Sequence, residues 1–286
     1  MSTPPFVRLP VGVERVEIAT RRGKLAGLRA ETDGPSVILV PGFTGSKEDF
    51  IAVLEPLRDL GWSVLAIDQL GQFESTGPDD ESAYSLDALS EDLAAVAERL
   101  DGPVHLVGHS LGGAVCRQAT IARPELFASL TFLGTGPGPL PTSNHHMLNA
   151  LLGTIPRLSL ERIWQIKLKQ DVAAGIPQPP PAILDFLHER WIRTNGWALS
   201  ATARLLMELP DRTAELLHAA RTADVRIMVA FGSGDTDAWP VHEQSEMAVR
   251  LDATCVEIPE AEHSPAAENP ADTAAVLDRF WRNHPQ

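Results

Sequence analysis

Short apolar runs alternate with helical patterns along most of the chain. The runs at 36–40, 62–67 and 103–107 are apolar almost throughout, which is typical of strands buried on both faces of a parallel sheet. Between such runs, apolar residues recur at helical spacing, as over 86–100, where Ser85 is placed to cap the helix. This alternation predicts an α/β protein with a mostly parallel central sheet and flanking helices.

The two ends of the chain extend this pattern. Alternating runs at 13–18 and 25–30, joined by an Arg-Arg-Gly turn, predict a hairpin at the start. Further strands are predicted at 130–133, 225–231 and 254–258, and further helices at 50–60, 113–121 and 273–281.

The strand pattern stops between residues 139 and 224. Helical patterns take its place, over 147–152, 160–168, 181–194 and 199–209. We therefore expect one α/β core, made of residues 1–138 and 225–286, interrupted by a helical cap at 139–224. The cap holds three of the six tryptophans, and these either pack within it or line an apolar substrate pocket. They are Trp164, Trp191 and Trp197.

Charge narrows the classes of partner. The 286 residues include 24 Lys and Arg and 38 Asp and Glu, a formal net charge of −14. This balance argues against binding to nucleic-acid phosphates and to an anionic membrane surface. The cap carries nine basic and eight acidic residues, whereas the core carries 15 and 30. Because the acidity lies on the core and the cap is nearly neutral, we expect a mainly apolar or neutral small-molecule substrate.

Cysteine usage and the start of the chain favour a reduced, cytoplasmic protein. Cys116 and Cys255 cannot form a disulfide framework, lack metal-ligand spacing, and are expected to be small buried residues. No apolar segment has the length of a signal sequence core or a membrane helix. No phosphate-binding loop, dinucleotide fingerprint or metal cluster is present, so we expect no cofactor and no metal. A monomer or homodimer is expected.

The sequence Gly-His-Ser-Leu-Gly, residues 108–112, is the most informative motif. It directly follows a predicted strand and directly precedes a predicted helix, which is the context of a nucleophile elbow. Such a turn exposes the hydroxyl of Ser110 above the sheet, and glycine is needed at Gly108 and Gly112 because a side chain there would collide with backbone. The motif predicts Ser110 as a nucleophile.

On these residues the chain resembles the α/β-hydrolase superfamily, in particular its serine-nucleophile members with a helical cap. The resemblance covers nearly the whole chain and implies a Ser, acid, His order. It assigns the acid to Asp235, which follows the strand at 225–231 in Gly-Ser-Gly-Asp, with Asp237 as the alternative. The earlier acid position of some relatives, at 134–138, holds no carboxylate here.

The resemblance assigns the histidine to His263, which follows the last predicted strand. Glu262 stands where relatives commonly have Gly. His109 lies inside the elbow and is expected to point away from the nucleophile. The other histidines lack both the position and the family pattern: His105, His145, His146, His188, His218, His242 and His284.

The resemblance also implies an oxyanion hole made of the backbone N–H groups of Phe43 and Leu111. Two departures from the family pattern lie nearby. Pro41 replaces a common His before the oxyanion glycine, and Phe73 stands where the second Gly of Asp-x-x-Gly-x-Gly-x-Ser is usual. The loop around Phe73 borders the oxyanion turn, and the resemblance does not determine the backbone conformation of this loop.

These assignments imply an esterase- or lactonase-like serine hydrolase that cleaves a carboxylic ester, lactone or thioester through an acyl-enzyme. Two alternatives stay open. The same triad serves carbon–carbon bond hydrolases and non-hydrolytic lyases or cyclases. A ligand-binding, receptor-like protein on the same scaffold is the other, since fold alone does not establish activity.

Overall fold

Eight strands form one sheet in a computed structural model, which describes residues 2–236 and 238–283. The strands are β1 (Glu14–Ala19), β2 (Lys24–Ala30), β3 (Ser36–Val40), β4 (Ser63–Ile67), β5 (Val104–His109), β6 (Phe127–Leu133), β7 (Arg226–Gly232) and β8 (Thr254–Ile258). Their order across the sheet is β1-β2-β4-β3-β5-β6-β7-β8. The sheet thus places β3 beside β5, so the turns that follow these two strands are neighbours.

The sheet is antiparallel at one edge and parallel elsewhere. β2 pairs antiparallel with both β1 and β4, whereas all pairs from β4 to β8 are parallel. The predicted α/β fold with a mostly parallel sheet is therefore confirmed. Because parallel strands share the direction of their carboxyl ends, the loops after β3, β5, β6, β7 and β8 meet at one edge, where ligands bind in such sheets.

Helices cover both faces of the sheet. They are α1 (Ile51–Asp59), α2 (Leu86–Ala97), α3 (Leu111–Ala122), α4 (Thr142–Thr154), α5 (Leu160–Ala173), α6 (Pro181–Arg193), α7 (Gly196–Glu208), α8 (Thr213–Ala223), α9 (Val241–Arg250), α10 (Pro265–Glu268) and α11 (Pro270–Arg282). One apolar cluster joins the sheet to α2, α3, α8 and α9, and another joins it to α1 and α11. Short 3-10 helices span Lys47–Phe50, Glu81–Tyr84 and Pro124–Leu126.

Helices α4 to α8 lie between β6 and β7 in the chain, in the segment for which a cap is predicted. Two further apolar clusters join α4, α5, α6 and α7 to one another and to the turn after β3. Leu216 and Ala220 of α8 instead belong to the cluster on the sheet. Helix α8 is missing from the sequence prediction. No helix in the described parts of the chain is long and apolar enough to cross a membrane.

The expectation of two buried cysteines is wrong for one of them. Cys116 in α3 is buried, but Cys255 is exposed. Cys255 lies in β8, which pairs with β7 only and forms an edge of the sheet. Thr254, Cys255 and Glu257 of this strand are all exposed, so the short apolar run there does not imply burial.

Candidate active site

Ser110 occupies the turn between β5 and α3. Its backbone has φ 52° and ψ −121°, a left-handed conformation that costs energy for any residue except glycine. The surroundings hold this conformation, because Ser110 N donates to Leu133 O at 3.0 Å and Thr135 Oγ1 donates to Ser110 O at 2.9 Å. Ser110 is 7% exposed. The chain therefore places a serine on a strained turn at the edge of the sheet where the carboxyl ends of the parallel strands meet.

The two glycines of the motif allow the elbow to pack against its neighbours. A Cβ on Gly108 would lie 2.5 Å from Gly113 Cα, and a Cβ on Gly112 would lie 2.3 Å from Val40 O and 2.6 Å from Pro41 O. All three neighbours are backbone atoms, which cannot rotate away. Glycine at 112 thus lets the start of α3 approach the turn after β3.

Asp235 and His263 form a hydrogen-bonded pair. Asp235 follows β7 and His263 follows β8, and His263 Nδ1 lies 3.2 Å from Asp235 Oδ1 and 3.3 Å from Oδ2. The side chain of Asp235 is fully buried, and that of His263 is 18% exposed. Gln244 of α9 donates a further hydrogen bond from Nε2 to Asp235 Oδ2 at 3.2 Å. When Nδ1 carries the hydrogen, Nε2 of His263 is left as a base.

The loop that carries His263 is held through its backbone. Glu268 Oε2 accepts from Glu262 N at 2.6 Å and from Ser264 N at 3.2 Å. His109 Nε2 lies 2.8 Å from His263 O. One carboxylate and one imidazole thus bind the backbone on both sides of His263 and at His263 itself, which holds the loop that carries its side chain.

His109 is a neutral donor in this arrangement. Burial, together with the nearby His263, lowers the pKa of His109 to about 3, so its ring carries no charge at neutral pH. Because a carbonyl oxygen can only accept, His109 Nε2 carries the hydrogen of its bond to His263 O. The two imidazole rings lie 5.0 Å apart. His109 therefore has a contact with the candidate histidine that the sequence prediction lacked.

Ser110 and His263 lie at the same edge of the sheet but are not directly bonded. Within residues 2–236 and 238–283, the hydroxyl of Ser110 makes no hydrogen bond to His263. Such bonds are often long in free enzymes and shorten when substrate binds. A Cβ on Gly134, in the turn after β6, would lie 3.4 Å from His263 Nδ1 and 3.5 Å from Asp235 Oδ2. The turn after β6 thus packs closely against the pair.

The turn after β3 presents unpaired backbone donors beside the elbow. No described residue accepts a hydrogen bond from the N–H of Phe43 or of Leu111. A Cβ on Gly42 would lie 2.9 Å from Ser110 Cβ, so the turn and the candidate nucleophile are in close contact. Unpaired N–H groups at a helix start and an adjacent turn are the donors that an oxyanion needs.

Two glutamine side chains hold this turn from the loop after β4. Gln69 Nε2 donates to Pro41 O at 2.9 Å, and Gln72 Nε2 donates to Gly42 O at 2.9 Å. Both side chains are buried. The sequence prediction missed them, since no local pattern shows which carbonyl a side chain on another strand will reach.

Phe73 keeps the backbone conformation that glycine would favour. Its φ is 40°, in the left-handed region where a side chain costs energy. The ring contacts Phe186 edge to face, with centroids 5.6 Å apart, and Lys47 Nζ lies 4.7 Å from its centroid. These aromatic and cation–π contacts offset the backbone cost. The departure from the family pattern therefore leaves the turn in a glycine-like conformation.

Apolar side chains from the helical segment surround the candidate oxyanion turn. The side chain of Phe43 contacts two clusters. One contains Leu111 with Leu148 and Leu206, and the other contains Trp164 and Trp191. Trp164 and Trp191 are thus packed within the helical segment, which was one of the two interpretations of the cap tryptophans. Trp197 is 48% exposed.

A buried ion pair links the helical segment to the turn after β3. Arg190 Nη1 of α6 donates to Asp49 Oδ1 at 2.6 Å, and both side chains are almost fully buried. Burial raises the pKa of the Asp49 carboxyl, which Arg190 opposes. Asp49 Oδ2 also accepts from Ser46 N at 3.3 Å. Helix α6 is thereby tied to the chain that directly follows the candidate oxyanion turn.

Two of the histidines that lack the family pattern make hydrogen bonds elsewhere in the chain. His145 Nε2 lies 2.9 Å from Leu140 O, and His188 Nε2 lies 2.6 Å from Glu161 Oε2. Asp237, the alternative acid, lies outside the described residues. Within those residues, no group of three or more His, Cys, Asp and Glu side chains is placed to hold a metal ion.

The sheet order, the elbow and the loops after β7 and β8 define the α/β-hydrolase fold. A family described as alpha/beta hydrolase fold matches residues 35–162. The chain therefore has the α/β-hydrolase fold.

Known proteins of several hydrolase types are similar to this chain. The human (Homo sapiens) mitochondrial palmitoyl-protein thioesterase ABHD10 is 33% identical over 123 residues, which are 41% of this chain and 39% of that protein. Curated relatives such as this one are matched over only about two fifths of their own length.

Two solved structures share the fold over nearly the whole chain. A thermophilic esterase from Thermogutta terrifontis has a TM-score of 0.75 at 23% identity and covers 94% of this chain and 98% of its own. A mutant of the N-acyl homoserine lactonase AidH, complexed with N-hexanoyl homoserine, has a TM-score of 0.74 at 23% identity, covering 96% and 98%. Esterases and lactonases thus share this architecture.

Proposed function

We propose that this protein is a serine hydrolase that cleaves a small, mainly apolar or neutral acyl substrate: a carboxylic ester, lactone or thioester. The observation that carries the proposal is the hydrogen bond between His263 and buried Asp235, at the same edge of the sheet as Ser110 on its strained turn. Similarity to an esterase, a lactonase and a thioesterase supports this substrate class.

In the proposed acylation step, Ser110 Oγ forms a bond to the acyl carbon while its proton moves to His263 Nε2. Asp235 holds the imidazole through Nδ1 and stabilises its protonated form. The negative carbonyl oxygen accepts from the N–H groups of Phe43 and Leu111, where the loss of one donor costs roughly 10²–10³ in rate. The bond to the leaving group then breaks, and the leaving group takes the proton from His263.

In the proposed deacylation step, water replaces the leaving group. His263 takes a proton from water, and the resulting hydroxide attacks the acyl carbon of the acyl-enzyme. Collapse of that intermediate releases the carboxylic acid and returns the proton to Ser110. The buried apolar side chains around Phe43 favour an acyl group without charge, because an unpaired charge loses its hydration there.

Covalent labelling tests the nucleophile. Wild-type protein should react with a fluorophosphonate probe, and Ser110→Ala should not. Ser143→Ala is the matched control, since Ser143 is an exposed serine of α4 away from the elbow. Equal labelling of Ser110→Ala and wild type, or no labelling of wild type, would contradict the proposal. His263→Gln should abolish turnover while the circular dichroism spectrum stays that of wild type.

A substrate panel tests the reaction class. We expect turnover of short- to medium-chain p-nitrophenyl esters, acyl lactones or acyl thioesters, and little turnover of their dicarboxylate analogues. Vinylogous diketones, the substrates of carbon–carbon bond hydrolases, serve as the competing class. Turnover of the diketones alone would refute ester-type hydrolysis while leaving the triad intact, whereas tight ligand binding without any turnover would favour a receptor.

A further inference from the structure

The side chain of Gln72 is fixed at both ends of its carboxamide. Its Oε1 accepts from the backbone N–H of Gln69 at 3.0 Å, and its Nε2 donates to Gly42 O at 2.9 Å. The backbone N–H of Gln72 also donates to Gln69 O at 2.9 Å. With 7% of the residue exposed, the carboxamide is a rigid, buried donor aimed at one carbonyl of the neighbouring turn.

That carbonyl belongs to the same peptide group as the Phe43 N–H. The peptide is planar, and no described peptide bond is cis, so the C=O of Gly42 and the N–H of Phe43 point in opposite directions. A group that fixes the oxygen therefore also fixes the direction of the hydrogen. Gly42 O accepts a second bond, from Gly45 N at 3.1 Å.

The peptide between Gly42 and Phe43 has more freedom to rotate than a peptide that follows a residue with a side chain. Glycine on its amino-terminal side permits a wide range of backbone angles, and Thr44, one residue beyond Phe43, has a left-handed φ of 57°. Rotation of the peptide would change the direction of the Phe43 N–H and break both bonds to Gly42 O. A donor on the oxygen therefore opposes this rotation directly.

We infer that Gln72 is a positioning residue of the oxyanion hole: by holding Gly42 O, it aims the Phe43 N–H at the oxygen of the tetrahedral intermediate. This inference rests on the proposed function. Gln72 touches neither substrate nor reacting atoms, so its contribution is to the transition state and not to the binding of the acyl group. Its loss should lower kcat more than it raises KM.

Gln69 provides a matched comparison on the same loop. It also uses Nε2 to donate to a carbonyl of the turn, but that carbonyl is Pro41 O, whose peptide partner is the N–H of Gly42. This N–H is not one of the two proposed oxyanion donors. Equivalent changes at positions 69 and 72 therefore disturb the same loop, but only the change at 72 releases the Phe43 peptide.

The experiment compares Gln72→Glu with Gln69→Glu. Each change keeps the size of the side chain and replaces a donating NH₂ by a carboxylate oxygen that repels the carbonyl. We expect Gln72→Glu to lower kcat on an ester at least about tenfold, toward the 10²–10³ of a lost oxyanion donor, with KM within about threefold. Gln69→Glu should lower kcat several times less. Gln72→Met, which removes the donor without adding charge, should follow Gln72→Glu.

Affinity for a trifluoromethyl ketone provides a second measurement. Such a ketone forms an oxyanion adduct with Ser110 only when the N–H donors of Phe43 and Leu111 are aligned. Its affinity should fall with kcat in both Gln72 variants, while the melting temperature of Gln72→Met stays near that of Gln69→Glu. Equal losses of kcat at 69 and 72, or unchanged kcat in Gln72→Met, would overturn the inference. If Ser110→Ala still hydrolyses the ester, the proposed function has failed instead.

Discussion

Replacing Gly112 by alanine tests whether activity requires direct contact between the elbow and the candidate oxyanion turn after β3. The new Cβ would lie 2.3 Å from Val40 O and 2.6 Å from Pro41 O, where ordinary contact begins at 3.4 Å. Both oxygens are backbone atoms at the end of β3 and the start of the oxyanion turn. The start of α3 and this turn must therefore separate by about 1 Å, because no side chain can move aside.

The size of the effect follows from that displacement. Added volume in a packed region costs about 1–3 kcal/mol of unfolding free energy. A misplacement of about 1 Å between reacting groups costs roughly 10²-fold in rate. We expect Gly112→Ala to remain folded at 25 °C and to lose about 10²-fold in kcat/KM for an ester, because Ser110 and the Phe43 N–H no longer share the right separation.

The assay combines ester hydrolysis with urea unfolding, and Gly153→Ala is its control. Gly153 is an exposed residue of α4, and no heavy atom lies within 4 Å of the position of its Cβ. This control should keep wild-type kcat/KM and gain up to about 1 kcal/mol in stability, since alanine favours a helix more than glycine. If Gly112→Ala keeps kcat/KM within threefold of wild type, the required contact is refuted.

Three further changes have defined outcomes. Burial and, secondarily, Arg226 lower the pKa of His105 to about 4, so below pH 6.5 the unfolded chain binds a proton that the folded chain does not. His105→Gln should therefore flatten the fall in unfolding free energy between pH 6.5 and 4.5 by about 1 kcal/mol per pH unit, measured with urea, and an unchanged slope would contradict this. Glu268→Ala should lower kcat several-fold because the His263 loop loses both bonds to one carboxylate, whereas Glu268→Gln, which keeps an acceptor, should lose less; equal losses would show that the carboxylate does not hold the loop. Arg190→Met leaves the buried Asp49 carboxylate uncompensated and should lower the unfolding free energy by about 3–5 kcal/mol in urea titrations, so a stability within 1 kcal/mol of wild type would argue against this ion pair.

The sequence predicts the central strands well because they are buried on both faces. The run at 36–40 coincides with β3, since an apolar run between turn residues has few alternatives in a chain of this kind. The run at 254–258 also coincides with a strand, the edge strand β8, although most of its residues are not buried. Helix α8 was missed because its segment, Thr-Ala-Glu-Leu-Leu-His-Ala-Ala-Arg-Thr-Ala, has only two large apolar residues. Apart from Leu216, its buried apolar residues are the alanines Ala219 and Ala220, which a hydrophobic pattern does not distinguish from exposed alanines.

In the candidate site, too, some residues could be predicted from the sequence and others could not. The elbow motif selects Ser110 and the resemblance to α/β-hydrolases selects Asp235 and His263, and all three lie in loops after parallel strands, whose carboxyl ends meet at one edge. The groups that hold them could not be selected. His109, Gln244 and the two glutamines of the loop after β4 act through contacts between distant parts of the chain, which depend on side-chain rotamers and not on local spacing.

These supporting contacts converge on the turn after β3 from three directions. Gly112 allows α3 to approach the turn, Gln72 holds one of its carbonyls, and Asp49, which follows it, is bound by Arg190 of α6. The last contact crosses from the core to the helical segment that supplies the apolar surroundings of Phe43. A substrate that shifts α6 would therefore act on the same backbone that presents the Phe43 N–H. Under the proposed function, we expect this buried ion pair to couple selection of the acyl group to alignment of the oxyanion donor.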